Sequence, residues 1–300
     1  MTHSDKTFRR GCKCVELDCW DDNNIGQPVV YHGYTMTSKI LFQSIISCIK
    51  NYIDIVNPNT LPIVLSLENH CSPNFQQMMA TILSNTLGDH LYIHEGLTAW
   101  PSPLDLVGKV LLKGGQCQKE NENNDSNSLE SNKSQSPRSE TFKCPSTAIG
   151  ISQMTLLNTV EFRSFNSSFD LPSTAMHSVD ETKFHKILNN DPAHVLQWKE
   201  FNTTHMTRIY PHGSRVDSSN YNPIVAWAMG IQLVALNFQT DDSAMTVNDG
   251  RFRVCGGCGY VLKPSSVLCS QLKSDNRMQL RIKILSASIL PKAYGGAEGM

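Results

Sequence analysis

The chain has no long apolar run. No stretch approaches the roughly 18–20 apolar residues that a membrane-spanning helix requires, so no segment reads as a transmembrane anchor. The N-terminus, Met1-Thr2-His3-Ser4-Asp5-Lys6, lacks the apolar core of a secretory signal. An excess of one charge sign is missing too: 26 Lys and Arg face 27 Asp and Glu, for a net charge of −1. No global field therefore draws the chain to nucleic acid or to an anionic membrane, and any attraction to a phosphate-bearing ligand must be local. The 10 cysteines are scattered, often within strand-like runs. Without a secretion signal they read as reduced cytoplasmic thiols and not as a disulfide framework. Cys255-Gly256-Gly257-Cys258 has the spacing of a metal knuckle, but no second Cys/His pair of matching type accompanies it, which weighs against zinc.

What is present is a series of strand-like runs that deliver ionisable residues at or near their C-terminal ends. They are Val15-Glu16-Leu17-Asp18-Cys19-Trp20, Val29-Val30-Tyr31-His32-Gly33 and Ile63-Val64-Leu65-Ser66-Leu67-Glu68-Asn69-His70. In a strand, residues two apart share a face. Glu16 and Asp18 therefore point one way, and Ser66 and Glu68 likewise. Carboxylates gathered at the C-terminal ends of parallel strands describe an α/β-barrel active site. Three acids and a histidine point to a hard metal ion with acid–base chemistry.

Helix-like spacing follows at 38–49 and 74–83, and a strand at 109–113. Strand–helix–strand order predicts a parallel sheet with crossover helices. Apolar residues nearly vanish over 115–143, so this stretch cannot offset its ordering entropy by burial and is expected to be disordered. Within it, Ser136-Pro137-Arg138 is a weak phosphorylation signal. The alternating pattern then resumes, with strands expected at 206–210, 231–238 and 259–262. Residues 280–290 begin with period-2 alternation.

The motifs carry a family resemblance. Gly11-Cys12-Lys13-Cys14-Val15-Glu16-Leu17-Asp18-Cys19-Trp20-Asp21, Tyr31-His32-Gly33-Tyr34-Thr35 and Leu65-Ser66-Leu67-Glu68-Asn69-His70-Cys71-Ser72 resemble the X half of eukaryotic phosphoinositide-specific phospholipase C. Arg208-Ile209-Tyr210-Pro211, Asp217-Ser218-Ser219-Asn220-Tyr221, Ala235-Leu236-Asn237-Phe238-Gln239-Thr240 and Gly256-Gly257-Cys258-Gly259-Tyr260-Val261-Leu262-Lys263-Pro264 resemble its Y half. The resemblance covers about residues 9–114 and 148–292, in the family's order.

It implies a distorted or incomplete TIM-type (β/α) barrel split by a disordered linker and followed by the start of an all-β C2 sandwich. The expected division is 1–114 (X half, first strand missing), 115–143 (linker), 144–264 (Y half) and 265–300 (linker and start of C2). Both ends are expected to be truncated relative to the family. The implied activity is calcium-dependent hydrolysis of phosphatidylinositol 4,5-bisphosphate to diacylglycerol and inositol 1,4,5-trisphosphate, in the cytoplasm and in peripheral contact with a membrane surface. Glu16, Asp18 and Glu68 would hold the Ca2+. His32 would be the general acid–base, and Glu16 or Glu68 would take the proton of the attacking hydroxyl. Lys113, Ser178, Arg208 and Tyr210 would form the head-group pocket, while His70 reads as structural. Gly115 stands where the family often has a second lysine, and Ser214 where it commonly has tryptophan. Tyr34 and Met36 fit the apolar rim. A catalytically inactive phosphoinositide-binding scaffold of the same fold is the alternative, and an unrelated metal phosphodiesterase barrel is disfavoured by the Arg208/Tyr210 pair. The regulatory partner is not readable from these residues.

Overall fold

The structure, a computed structural model, describes residues 7–33, 38–94, 100–115, 149–268 and 283. Apart from Gly115, residues 265–268 and Lys283, the expected X–Y linker and the segment leading into C2 lie outside the described residues, as do Tyr34, Met36 and the Ser136-Pro137-Arg138 signal.

Among the described residues nine strands form one sheet. In chain order they are β1 (Cys14–Asp22), β2 (Gln27–Val30), β3 (Ile40–Leu41), β4 (Ile63–Asn69), β5 (Val110–Gly114), β6 (Thr155–Glu161), β7 (Ala175–Asp180), β8 (Met206–Tyr210) and β9 (Leu233–Val234). Their spatial order is β3-β2-β1-β4-β5-β6-β7-β8-β9. From β1 through β4 to β9 every pairing is parallel, and β2 and β3 are antiparallel additions beside β1. Among the described residues β1 and β9 are the two ends of the parallel run and do not pair with each other.

Helices cover the outer face: α1 (Phe42–Asn51), α2 (Pro73–Leu87), α3 (Ile149–Met154), α4 (Phe165–Phe169), α5 (Glu181–Asn190), α6 (Ala193–Thr204), α7 (Pro223–Ala228), α8 (Ser243–Phe252) and α9 (Ser265–Leu268). The period-2 rule sorts each strand into two faces. Outward Leu17, Cys19, Leu65, Leu67 and Leu112 pack under Phe42, Ile46 and Ile49 of α1 and Met79 and Leu83 of α2. Outward Val179 and Ile209 pack under Phe184 of α5 and Trp198 and Phe201 of α6. Each fully buried aliphatic side chain of this kind contributes about 1.5–3 kcal/mol.

The inner face is stratified. Near the strand N-termini lie Val64, Leu111, Leu157 and Met176, with Cys14, Met206 and Leu233 against them. Two residues further along each strand the inward positions turn polar. Glu16 pairs in register with Ser66, Ser66 with Lys113, and Ser178 with Arg208. Two residues further again stand Asp18 beside Glu68 and Asp180 beside Tyr210. An apolar floor therefore supports a charged middle layer and an acidic upper layer at the C-terminal mouth.

Several expectations need correction. Helix α1 begins at Phe42 and not at 38, because Ile40 and Leu41 pair with Val30 and Val29. The run ending in His32 is not a parallel barrel strand. β2 stops at Val30 and runs antiparallel to β1. The strand expected over 231–238 shrinks to Leu233–Val234; beyond it Asn237 trades its backbone partners for the Asn220 side chain, with Asn237 N donating to Asn220 Oδ1 at 2.6 Å. Residues 259–262 form no strand. Gly259 sits at φ +83°, and a Cβ there would lie 2.3 Å from the carbonyl oxygen of Gly11, so glycine alone lets the two segments meet. That contact, with Arg10 Nη2 donating to Asp249 Oδ2 at 2.9 Å, ties the start of the chain to the region after β9.

Candidate active site

The register of β1 and β4 builds the acidic layer. Asp18 and Glu68 are direct neighbours and Glu16 lies two residues below Asp18 on the same face. One carboxylate oxygen from each of Glu16, Asp18 and Glu68 lies within 4.8 Å of the others. Oxygens that share a calcium ion lie about 2.3–2.6 Å from it and so up to about 5 Å from each other, so the three acids fit one hard cation. The donor set is all oxygen, which suits calcium better than zinc. The Asp18 carboxyl is pushed up to about 6, first by burial and then by the charges of Glu68 and Glu16, with His32 and His70 offsetting part of the rise. Three acids in mutual repulsion, half-sheltered from water, are a site that a cation would relax.

His32 reaches the same place by another route. The amide of Tyr31 donates to the carbonyl of Asp18 at 3.2 Å, so the chain leaving β2 folds back along β1 toward the acids. His32 is exposed and lines the same cavity as Glu16, Asp18 and Glu68.

The middle layer holds the cations. Lys113 is only 4% exposed, and its Nζ donates to Ser66 Oγ at 3.0 Å. Its ammonium is pulled down to about 8, first by burial and then by the charge of Arg208. Arg208 ion-pairs with Glu16 Oε2, and its guanidinium lies over the Tyr210 ring, 5.0 Å from the centroid. Burial, then the Asp180 charge, raises the Tyr210 phenol above its ordinary range. The Oγ of Ser178 is buried and has no hydrogen-bond partner among the described residues. Gly115 faces open space at the end of β5. Glu16, Asp18, His32, Glu68, Lys113, Ser178, Arg208 and Tyr210 all line one cavity of about 2250 Å³.

Three neighbours escaped the sequence reading. His70, read as structural, stacks on Trp20 at 4.0 Å between ring centroids, and its contact with the acid layer, Nε2 at 3.4 Å from Glu68 Oε1, was not foreseen. Ser66 appeared only as a residue sharing a face with Glu68, yet it sits between Glu16 and Lys113. Val216, on the loop after β8, is 94% exposed at the lip of the cavity. The loop is fixed from below by Glu181, which accepts from Arg215 Nη2 at 2.8 Å and from the amide of His212 at 2.9 Å. Two of these residues flank acids within one motif, which was the available signal. Nothing in the sequence marks Val216. The Cys255 and Cys258 thiols are free, and they belong to no cluster of metal-ligating side chains among the described residues.

The sequence profile of the X domain of phosphatidylinositol-specific phospholipase C matches residues 3–116, and that of the Y domain matches residues 151–266. The chain is 36% identical over 316 aligned residues to 1-phosphatidylinositol 4,5-bisphosphate phosphodiesterase delta-3-A of Danio rerio, a match that takes in 96% of this chain and 39% of that protein. It is 35% identical over 319 residues to the delta-1 protein of the same name from Homo sapiens, with 94% and 41% covered. The crystal structure of L. pealei PLC21 superposes with a TM-score of 0.72 at 30% identity, over 88% of this chain and 34% of that one. The chain thus spans about two fifths of the length of the curated relatives it matches.

Proposed function

The chain belongs to the phosphatidylinositol-specific phospholipase C family, and from that premise we propose that it supplies the catalytic barrel of an enzyme hydrolysing phosphatidylinositol 4,5-bisphosphate with calcium. The products would be diacylglycerol and inositol 1,4,5-trisphosphate. The observation that carries the reading is the meeting of two groups: a three-carboxylate cluster whose Asp18 and Glu68 stand at the mouth, and, in the layer of Glu16 beneath them, Lys113, Arg208 and a Ser178 hydroxyl without a partner among the described residues.

Glu16, Asp18 and Glu68 would hold calcium, which when bound lowers the pKa of the attacking hydroxyl and neutralises charge developing on the phosphate. The remaining work falls to the chain's own side chains. Arg208 offers a planar fork of donors to a ring phosphate, Lys113 a point charge and Ser178 a hydroxyl donor. The Tyr210 ring packs against the inositol face. A carboxylate takes the proton of the inositol 2-hydroxyl as its oxygen bonds to phosphorus. Glu16 is already engaged by Arg208 and Ser66, which favours Glu68 for this role. His32 protonates the glycerol oxygen as its bond to phosphorus breaks, then takes a proton from the water that opens the cyclic phosphate.

No helix among the described residues is long and apolar enough to cross a membrane. Contact with the lipid surface would be peripheral, from the cytoplasmic side, with Val216 at the lip as the apolar contact.

The test uses vesicles containing phosphatidylinositol 4,5-bisphosphate or phosphatidylinositol, in calcium buffers. Arg208→Ala should lower turnover of the bisphosphate far more than that of phosphatidylinositol. A charge-assisted contact contributes about 1.5–3 kcal/mol, so the preference should fall about tenfold or more. His32→Ala should slow both substrates alike, by about 10²–10⁴-fold. Equal loss on both substrates for Arg208→Ala would remove the pocket assignment. Head-group binding without calcium-dependent turnover would leave a scaffold.

A further inference from the structure

Ser66 is 2% exposed, in the middle of β4, and its side chain points to the interior. Its register neighbours are Glu16 on β1 and Lys113 on β5. The Oγ accepts from Lys113 Nζ at 3.0 Å and donates to Glu16 Oε2 at 3.3 Å. Arg208, from β8, ion-pairs with that same Oε2. One carboxylate oxygen thus gathers a hydroxyl and a guanidinium, and through the hydroxyl it is connected to a buried ammonium.

A serine hydroxyl has one proton to give. Here it goes to Glu16, which leaves a lone pair for Lys113. Lys113 and Arg208 therefore have Glu16 as their counter-charge, Arg208 directly and Lys113 through the hydroxyl. If Glu16 turns to a cation in the layer above, Arg208 loses its ion-pair partner, and the Ser66 hydroxyl loses its acceptor and can rotate. Both bases are then short of an anion. If an anion first occupies Arg208 and Lys113, Glu16 is released toward the cation. Each ligand removes the competitor of the other, and the coupling must be reciprocal.

We propose that Ser66 is a positioning residue that joins the carboxylate end of the site to its cationic end, so that a divalent cation and an inositol-ring phosphate bind with positive cooperativity. The inference rests on the reading of this cavity as a calcium and phosphoinositide site. It assigns to that site a built-in linkage and names the residue that carries it. A buried serine that merely filled space would be replaceable by alanine with no effect on how one ligand changes the other.

Isothermal titration calorimetry with calcium chloride and inositol 1,4,5-trisphosphate tests this. In the unmodified protein, saturating trisphosphate should tighten calcium binding about fivefold or more, and saturating calcium should tighten trisphosphate binding by the same factor. Ser66→Ala should reduce that factor to what the direct Arg208–Glu16 pair and the attraction between the two ligands leave. Ser66→Thr, which keeps the hydroxyl, should restore it. Ser66→Cys is nearly isosteric and a weak donor; it provides a second variant if the alanine protein folds poorly, and should lower the coupling likewise. Calcium and trisphosphate that both bind but independently would overturn the inference and leave the site reading standing. Coupling unchanged in Ser66→Ala or Ser66→Cys would overturn it as well. Failure of calcium to bind at all would defeat the site reading and the inference together.

Discussion

Removing one of the acids should make the calcium-free protein more stable. Asp18 is raised from the ordinary 3.8 to about 6, so its ionised form is disfavoured in the fold by burial and by Glu68 and Glu16. The shift of about 2 units corresponds to about 3 kcal/mol at 1.36 kcal/mol per unit. Asp18 is only partly sheltered, and solvent screening reduces this to about 1–2 kcal/mol. Below about pH 3.8 the group is protonated in both folded and unfolded chains and carries no penalty. As pH rises through about 6 the folded carboxylate ionises against its neighbours and stability is lost. In a chelator at pH 8, Asp18→Asn should therefore raise Tm by roughly 2–8 °C. The gain should fade toward pH 4. Calcium should reverse the order, because a ligand at 100 times its Kd adds about 2.7 kcal/mol to the parent protein and little to a variant short of a carboxylate. Differential scanning fluorimetry across pH, with chelator and with calcium, reads all of this. A variant less stable than its parent at pH 8 in chelator would refute the electrostatic reasoning, and a calcium-induced rise equal in both proteins would refute the role of Asp18 in holding the ion.

Other outcomes follow from the same geometry. His177 is fully buried on the outer face of β7 among Phe162, Phe201 and His205, and burial pulls its imidazole down to about 4. It stays neutral in the fold while the unfolded chain takes a proton below about 6.5, so stability should fall from pH 6.5 toward 4. Urea titrations of His177→Leu should show up to about 2–3 kcal/mol less of this acid loss, and an identical acid slope would contradict it. Gly259→Ala should cost about 2–4 kcal/mol, from its positive φ and the close approach to Gly11, and an unchanged melting curve would show that the junction yields freely. Val216→Glu should slow hydrolysis on vesicles about tenfold or more through lost apolar insertion, with a much smaller effect on a soluble inositol cyclic phosphate. Equal losses on both would place Val216 in the chemistry and not at the membrane.

The acids were legible in the sequence because alternation fixes which residues share a face, and Glu16, Asp18 and Glu68 required nothing more than aligned strands. Arg208 and Tyr210 were legible for the same reason. Local pattern could not supply direction or partnership. His32 follows an apolar run that looks like any barrel strand, and only pairing reveals that this run is antiparallel. Ser66 and Lys113 meet because β4 and β5 are neighbours, a fact of sheet order and not of spacing. Residues 235–238 and 259–262 have strand-like composition, but Asn237 is held by the Asn220 side chain and Gly259 turns against Gly11, so tertiary context overrode propensity. Ile40 and Leu41 show the converse, two residues of a helix-like pattern captured by a hairpin edge.

The hairpin gives the barrel an outrigger. Glu16 and Asp18 are the third and fifth residues of β1, and the strand runs on for four more before doubling back. Its tip is set by Asp22, whose Oδ1 accepts from the amides of Asn24 and Ile25 and whose Oδ2 is pinned by Lys39 at 2.8 Å. His32, the proposed proton donor, is thus mounted on a cantilever, while the acids are mounted on the parallel sheet. A single-residue insertion at the tip would slip the return strand by one place and swing His32 to the opposite face, because the side-chain period is two. The acids, locked by β4, would not move. Such a variant would trap the cation and the head group yet leave the bond uncleaved, separating recognition from turnover by a change well outside the cavity.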